Sequence, residues 1–345
     1  MLRISSKLNI LGLLVCLAGF TGLNVIAQNP VPKTPKPAPP PPRAERAVRP
    51  QPREFPEGRG INERALAVDP NVNIKLPCIS QARVTVTGWD RNEIRVFVKN
   101  GTTVNFKVHE KDPKSGKPVW VLITRQAPGL AAGPFADCLS GDRIDIEVPV
   151  GASLTISGRE TETRIDTVKK VNLKNLGGNV ALRNVTGGIV AETFEGDVAV
   201  ENSAGQISLK TSTGNIIAFE VNPGQVGDVF KAMTSSGSVT LQKVEHRQIE
   251  ANSVSGTLLF SGKFLPGGIY NFKTANGSMK LSIPQASSFK LAAWYGYGSI
   301  DSELPMKIIT ENVSSGGKSL TALFGDGDST VYLTTNSGRI SITKQ

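Results

Sequence analysis

The amino-acid sequence predicts an all-β fold: a two-sided β-solenoid with coils of roughly 18–21 residues, behind an N-terminal antiparallel β cap. Three observations carry this expectation. First, Gly178, Gly187, Gly196, Gly205 and Gly214 recur at a strict nine-residue interval. Second, apolar side chains stand two and four residues after each glycine, from Val180 and Leu182 to Ile216 and Ala218. That is the period-two alternation of a strand with one face in a core. Third, Arg183, Glu192, Glu201 and Lys210 stand five residues after the first four glycines. Nine residues are too few to close a coil, so two units make one flattened coil. Every second unit then stacks on the same side, placing Arg183 over Glu201 and Glu192 over Lys210, about 4.8 Å apart. A hairpin meander is the competing arrangement, and it does not require those pairs.

Taken in chain order, residues 1–27 read as a secretory signal. Arg3 and Lys7 supply the positive start, Leu8 to Phe20 the apolar run, and Val25-Ile26-Ala27 a small-residue cleavage site before Gln28. The alternative is an uncleaved membrane anchor, because the apolar run is nearly long enough to span. Residues 28–60 form a linker holding eleven of the 22 prolines. Such a tract builds no core and favours extended polyproline II, a spacer between the folded part and an anchor or wall.

The formal charge of +10 is not the footprint of a nucleic-acid binder. The signal carries +2 and the linker +4, which leaves +4 on the rest, an ordinary soluble surface. Once the signal and its Cys16 are removed, Cys78 and Cys138 remain. An isolated pair in an exported protein reads as one disulfide. No metal or cofactor is expected: the two histidines, His109 and His246, lie far apart in the sequence, and the pair of cysteines has no further ligands nearby.

Residues 61–157 read as an antiparallel cap on the solenoid, with a small sandwich of their own as the alternative. Strands are expected at 71–74, 83–87, 93–98, 104–108, 119–124 and 143–148, separated by turn chemistry such as Asn100-Gly101. A cap is expected physically, because a bare solenoid end exposes edge strands. Residues 158–345 read as the solenoid. After Gly214 the corners at Gly237, Gly256, Gly277 and Gly298 are spaced 19, 21 and 21 residues apart, and Gly338 follows after 40, close to two further coils.

Thr87-Gly88-Trp89-Asp90-Arg91-Asn92-Glu93-Ile94-Arg95-Val96 resembles the opening motif of a bacterial domain-of-unknown-function family regarded as adhesins. Val148-Pro149-Val150-Gly151-Ala152-Ser153-Leu154 is similar to that family's mid-domain motif, and Ser337-Gly338-Arg339-Ile340 to its close. The resemblance covers about residues 64–345. It implies an exported, repetitive, β-solenoid-like protein of the bacterial envelope, and it brings no catalytic residues with it. The long proline linker and the two cysteines depart from the family pattern.

Candidate chemistry is sparse. Gly325-Asp326-Gly327-Asp328 resembles a fragment of a calcium repeat but reads as a polar turn, because the tandem units lack the repeated acids. Asp301 and Glu303 are paired acids that a glycosidase or lyase would need, although solvated strand carboxylates are the commoner case. Trp294, Tyr295 and Tyr297 form the densest aromatic cluster. They are candidate ligand contacts for sugar faces, against the alternative of a bulky corner covering the core. The expected function is a non-enzymatic exported protein of the periplasm, cell surface or extracellular space, which binds polysaccharide, cell wall or an envelope protein. A carbohydrate-active solenoid enzyme and a structural or stress-sensing envelope component are the alternatives.

Overall fold

A computed structural model describes residues 62–126, 138–225 and 227–345. The expected signal (1–27) and linker (28–60) lie outside the described residues. Eight strands come first: β1 (Glu63–Ala67), β2 (Asn73–Trp89), β3 (Glu93–Lys99), β4 (Val104–Lys111), β5 (Pro118–Arg125), β6 (Leu139–Ser140), β7 (Arg143–Pro149) and β8 (Ser153–Asp166). The regular coils comprise β9 (Lys170–Gly177), β10 (Val180–Arg183), β11 (Ile189–Glu195), β12 (Val198–Ala204), β13 (Ile207–Thr213), β14 (Ile216–Asn222), β15 (Val229–Ser236), β16 (Val239–Val244), β17 (Gln248–Ser255), β18 (Leu258–Ser261), β19 (Ile269–Asn276) and β20 (Met279–Ile283). Last come β21 (Phe289–Trp294), β22 (Ser299–Ser302), β23 (Lys307–Ser314), β24 (Gly317–Phe324), β25 (Thr330–Ser337) and β26 (Arg339–Lys344).

From β9 to β20 the odd strands form a front sheet and the even strands a back sheet, each strand parallel to its neighbours one coil away. The alternation in the repeat aims every second side chain inward. On the back sheet Val180, Val198, Ile216, Val239, Leu258 and Met279 stack in register, and all are buried. The outward charges meet as the nine-residue period requires. Arg183 Nε lies 3.0 Å from Glu201 Oε2, and Lys210 Nζ lies 2.9 Å from Glu192 Oε1. These parallel pairings are the solenoid and not the meander.

One corner is a column of stacked glycines. Gly178, Gly196, Gly214, Gly237, Gly256 and Gly277 follow each other up the stack, and a Cβ on each from Gly196 onward would collide with the carbonyl oxygen of the one before. Inside this corner runs a ladder of buried polar side chains that the repeat pattern conceals. Asn175, Thr193, Thr211, Thr234, Ser253 and Thr274 are in register from coil to coil. From Thr211 onward the hydroxyls donate to glycine-column carbonyls, Thr211 to Gly196 at 3.0 Å, Thr234 to Gly214 at 2.9 Å and Ser253 to Gly237 at 2.8 Å, whereas the Thr193 hydroxyl donates to the Glu195 carbonyl. Buried hydroxyls persist where a partner is in place. The opposite corner is less regular. Its positive-φ glycine after β10 is Gly188, at φ +104°, and not the Gly187 of the nine-residue count.

Both ends of the stack are closed by the chain stepping outward and returning. At the start, β2 spans both sheets and pairs in parallel with β8 from Asn73 to Thr87. The later strands β5 and β7 lie outside β2, also parallel to it. Antiparallel strands finish the end, with β4 on β5, β3 on β7 and β1 on β3. Parallel stacking therefore begins at Asn73, well inside the segment read from sequence as an antiparallel cap. At the other end β25 and β26 insert between the coil of β19 and β20 and the coil of β21 and β22. Gly338 accordingly sits one coil from both Gly277 and Gly298, not two coils beyond Gly298. The 40-residue interval is occupied by the antiparallel hairpin of β23 and β24, which covers β21. A disulfide joins Cys78 to Cys138, with Cα atoms 4.7 Å apart.

Candidate binding face

The two outer faces of the solenoid differ in what they expose. On the front sheet Trp120, Leu176, Phe194, Trp294 and Tyr332 are all exposed large apolar side chains. Among the described residues the back sheet exposes only Ile217 in this class. Its aromatic Phe219 is half-buried, with the Lys243 ammonium 5.4 Å from the ring centroid. Each exposed ring on the front follows from the local register. Trp120 aligns with Asn73 on the outer side because its neighbour Val121 aligns with buried Ile74. Tyr332 lies opposite Ala292, and Trp294 lies opposite Thr334 and Ser319. Tyr332 and Trp294 are thus diagonal neighbours on one face, surrounded by small side chains that leave the rings uncovered. Trp120 also stacks on His109, with ring centroids 4.7 Å apart and planes tilted by 31°.

The aromatic cluster read from sequence divides across the surface. Trp294 is partly exposed at 38% and Tyr297 is the most exposed at 79%. Tyr295 is only 4% exposed and faces the core, so it is not placed as a surface contact. Its hydroxyl points at Glu311 Oε1 at 3.5 Å, and burial, followed by the Glu311 charge, pushes its pKa up. Tyr332 takes the place that Tyr295 was expected to fill. Its signal in the sequence is the alternation Val331-Tyr332-Leu333, but nothing local shows that β25 is adjacent to β21.

The other candidates fall elsewhere. Asp301 and Glu303 lie outward at the end of the back sheet, and both are exposed. Ile300 between the sheets is half-buried rather than fully inside. Asp301 pairs with Arg339 at 3.2 Å, a basic partner supplied by the inserted β26. Glu303 Oε2 accepts the backbone N–H of Lys344 at 3.0 Å. In the Gly325–Asp328 turn, the N–H groups of Gly327 and Asp328 donate to Ser288 Oγ at 2.9 and 3.2 Å, so the segment is organised around a hydroxyl.

The architecture defines a class: a capped, two-sided parallel β-solenoid with one aromatic outer face. The chain belongs to the Toastrack DUF4097 family, whose profile matches residues 166–343, just over half of the chain. No curated protein matches it in sequence. A crystal structure of a "putative cell adhesion protein" from Clostridium sporogenes aligns over 82% of this chain and 99% of its own, with 11% identity and a TM-score of 0.27. A superposition that loose carries no argument for either fold or function.

Proposed function

We propose that this protein is an exported envelope or surface protein that binds polysaccharide along the front face of its solenoid, without transforming it. The observation that carries the reading is the asymmetry of the two faces: the exposed rings Trp120, Phe194, Trp294 and Tyr332 all lie on the front sheet. From β5 to β21 the front sheet makes ten strand steps, about 48 Å at the usual strand spacing. A polymer laid along it meets Tyr332 and Trp294 on adjacent strands, and many weak contacts along one direction suit an extended ligand. The expected signal and proline spacer support the same reading, because they would export the solenoid and hold it away from an anchor or wall.

The test is binding of the whole exported chain to immobilised wall and capsular polysaccharides. Two stacking rings at about 1 kcal/mol each make the Trp294→Ala, Tyr332→Ala double variant bind roughly 30-fold more weakly. Unchanged affinity in a variant that remains folded would remove the face from the account. A second reading has its own observation. β23 is an eight-residue edge strand whose residues are all exposed, including Ile308 and Val313, and an envelope protein could add a strand there. Recovery of one specific protein by crosslinking at β23, with no glycan bound, would favour it.

A further inference from the structure

A cleft of about 570 Å³ opens on the front sheet far from Trp294 and Tyr332, across β2, β8, β9, β11 and β13. Its volume lies within the usual range for small-ligand sites. One wall is the irregularity in β2, where Pro77 and Cys78 fall between the paired residues Leu76 and Ile79. The other wall is Leu176 beside Phe194, adjacent in register and 54% and 58% exposed. Ser157 lies between the walls, next to Lys174.

Among the described residues the one carboxylate lining the cleft, Glu192, faces two lysines, Lys174 within the cleft and Lys210 beside it. Glu192 is already engaged: Lys210 donates to it at 2.9 Å, and that hydrogen bond, more than any charge nearby, holds its pKa below the usual carboxylate range. Lys174 reaches Glu192 only at 4.0 Å and is 70% exposed. The cleft is therefore set up for an added anion beside an aromatic ring.

The backbone narrows the ligand class further. The strands β9 and β11 pair on both sides, with β8, β11 and β13, so their main-chain groups are used within the sheet. A peptide that binds by adding a strand has no free edge here. On β9 and β11 recognition falls to side chains, which offer an apolar ring face, hydroxyls and a cation.

We infer that this cleft binds an acidic sugar unit of an anionic polysaccharide, with the ring against Phe194 and the carboxylate or phosphate at Lys174. This rests on the polysaccharide reading above and specifies the ligand at the opposite end of the same face. The two anionic groups share the chemistry, so the probes separate them: polygalacturonate for carboxylate, a phosphorylated mannan for phosphate, and fully methyl-esterified polygalacturonate as the uncharged control.

Binding is measured on the whole chain, with circular dichroism to verify that each variant is folded. At least one anionic probe is expected to bind about tenfold more tightly than the ester and to weaken as salt is raised. Lys174→Glu and Phe194→Ala should each lose at least about tenfold, while Lys280→Glu on the back sheet should leave binding unchanged. Equal binding of acid and ester, or full binding by Lys174→Glu, overturns the inference. Neutral glycan binding that depends on Trp294 and Tyr332 but not on Phe194 overturns the cleft alone and leaves the face reading intact. No binding to any polysaccharide overturns both.

Discussion

Replacing Gly256 by alanine tests the glycine column, on which the coil geometry rests. Two costs follow from the structure. The backbone at Gly256 has φ +155°, a region that side-chain-bearing residues rarely adopt, at a cost of about 1–3 kcal/mol. The new Cβ would also collide with the Gly237 carbonyl oxygen and stand 3.0 Å from Ser253 Oγ, the hydroxyl that donates to that same carbonyl. Displacing that hydroxyl loses a buried hydrogen bond, about 1 kcal/mol more. The sum is about 2–4 kcal/mol before any opening of the ladder. Gly116→Ala is the control: φ there is +66°, and nothing lies within 4 Å of the added methyl. Its cost is only that of a left-handed residue, about 1–2 kcal/mol. Urea unfolding followed by circular dichroism should rank Gly256→Ala below Gly116→Ala by about 1.5 kcal/mol, the difference between the two mid-range costs. Equal stabilities would refute the close stacking of the column.

Other consequences can be checked together. Thr234→Val keeps the shape inside the corner but leaves the Gly214 carbonyl without its hydroxyl donor. It should cost about 1–2 kcal/mol in the same urea assay. Reducing the Cys78–Cys138 bridge frees a loop with a sequence separation of 60 residues and should lower stability by about 4 kcal/mol; an unchanged urea midpoint after reduction argues against that bridge. His246 is fully buried, with Nε2 at 2.9 Å from the Gly205 carbonyl and Nδ1 lacking a hydrogen-bond partner among the described residues, and burial pushes its pKa down. In the unfolded chain it titrates near about 6.5. Below that pH the unfolded state takes up a proton that the folded state refuses, so stability should fall as pH falls from about 6.5 toward the lowered native value. His246→Gln should flatten that slope, and a wild-type stability that is level between pH 7 and pH 5 would contradict it.

The repeat was legible because it is local. Nine residues separate Gly178 from Gly187, and the charges Arg183 and Glu201 lie 18 residues apart, so the period alone specifies which charges stack. What was not legible is spatial order. Spacing along the chain places Gly338 beyond Gly298, whereas β26 lies beneath β22, because an inserted strand pair leaves no trace in a local period. The same limit hid the early start of parallel stacking, since β2 meets β8 about 80 residues later. The polar ladder was missed for a different reason. Thr211, Thr234 and Ser253 look like turn residues ahead of a glycine, and only register shows them inside the corner. For the candidate site, Trp294 and Tyr297 were found as a cluster in the sequence. Tyr332 and Phe194 were not, because each is a lone aromatic in its own strand and gains meaning only from the face it shares.

Hydroxyl-radical footprinting of the whole chain, with and without a bound polysaccharide, tests the central claim most directly. Exposed side chains are oxidised, and bound ligand shields them. Protection is expected at Trp294, Tyr332 and Phe194 on the front sheet, with Ile217 and Phe219 on the back unchanged. Protection confined to the back sheet, or to β23, would contradict a front-face binding role.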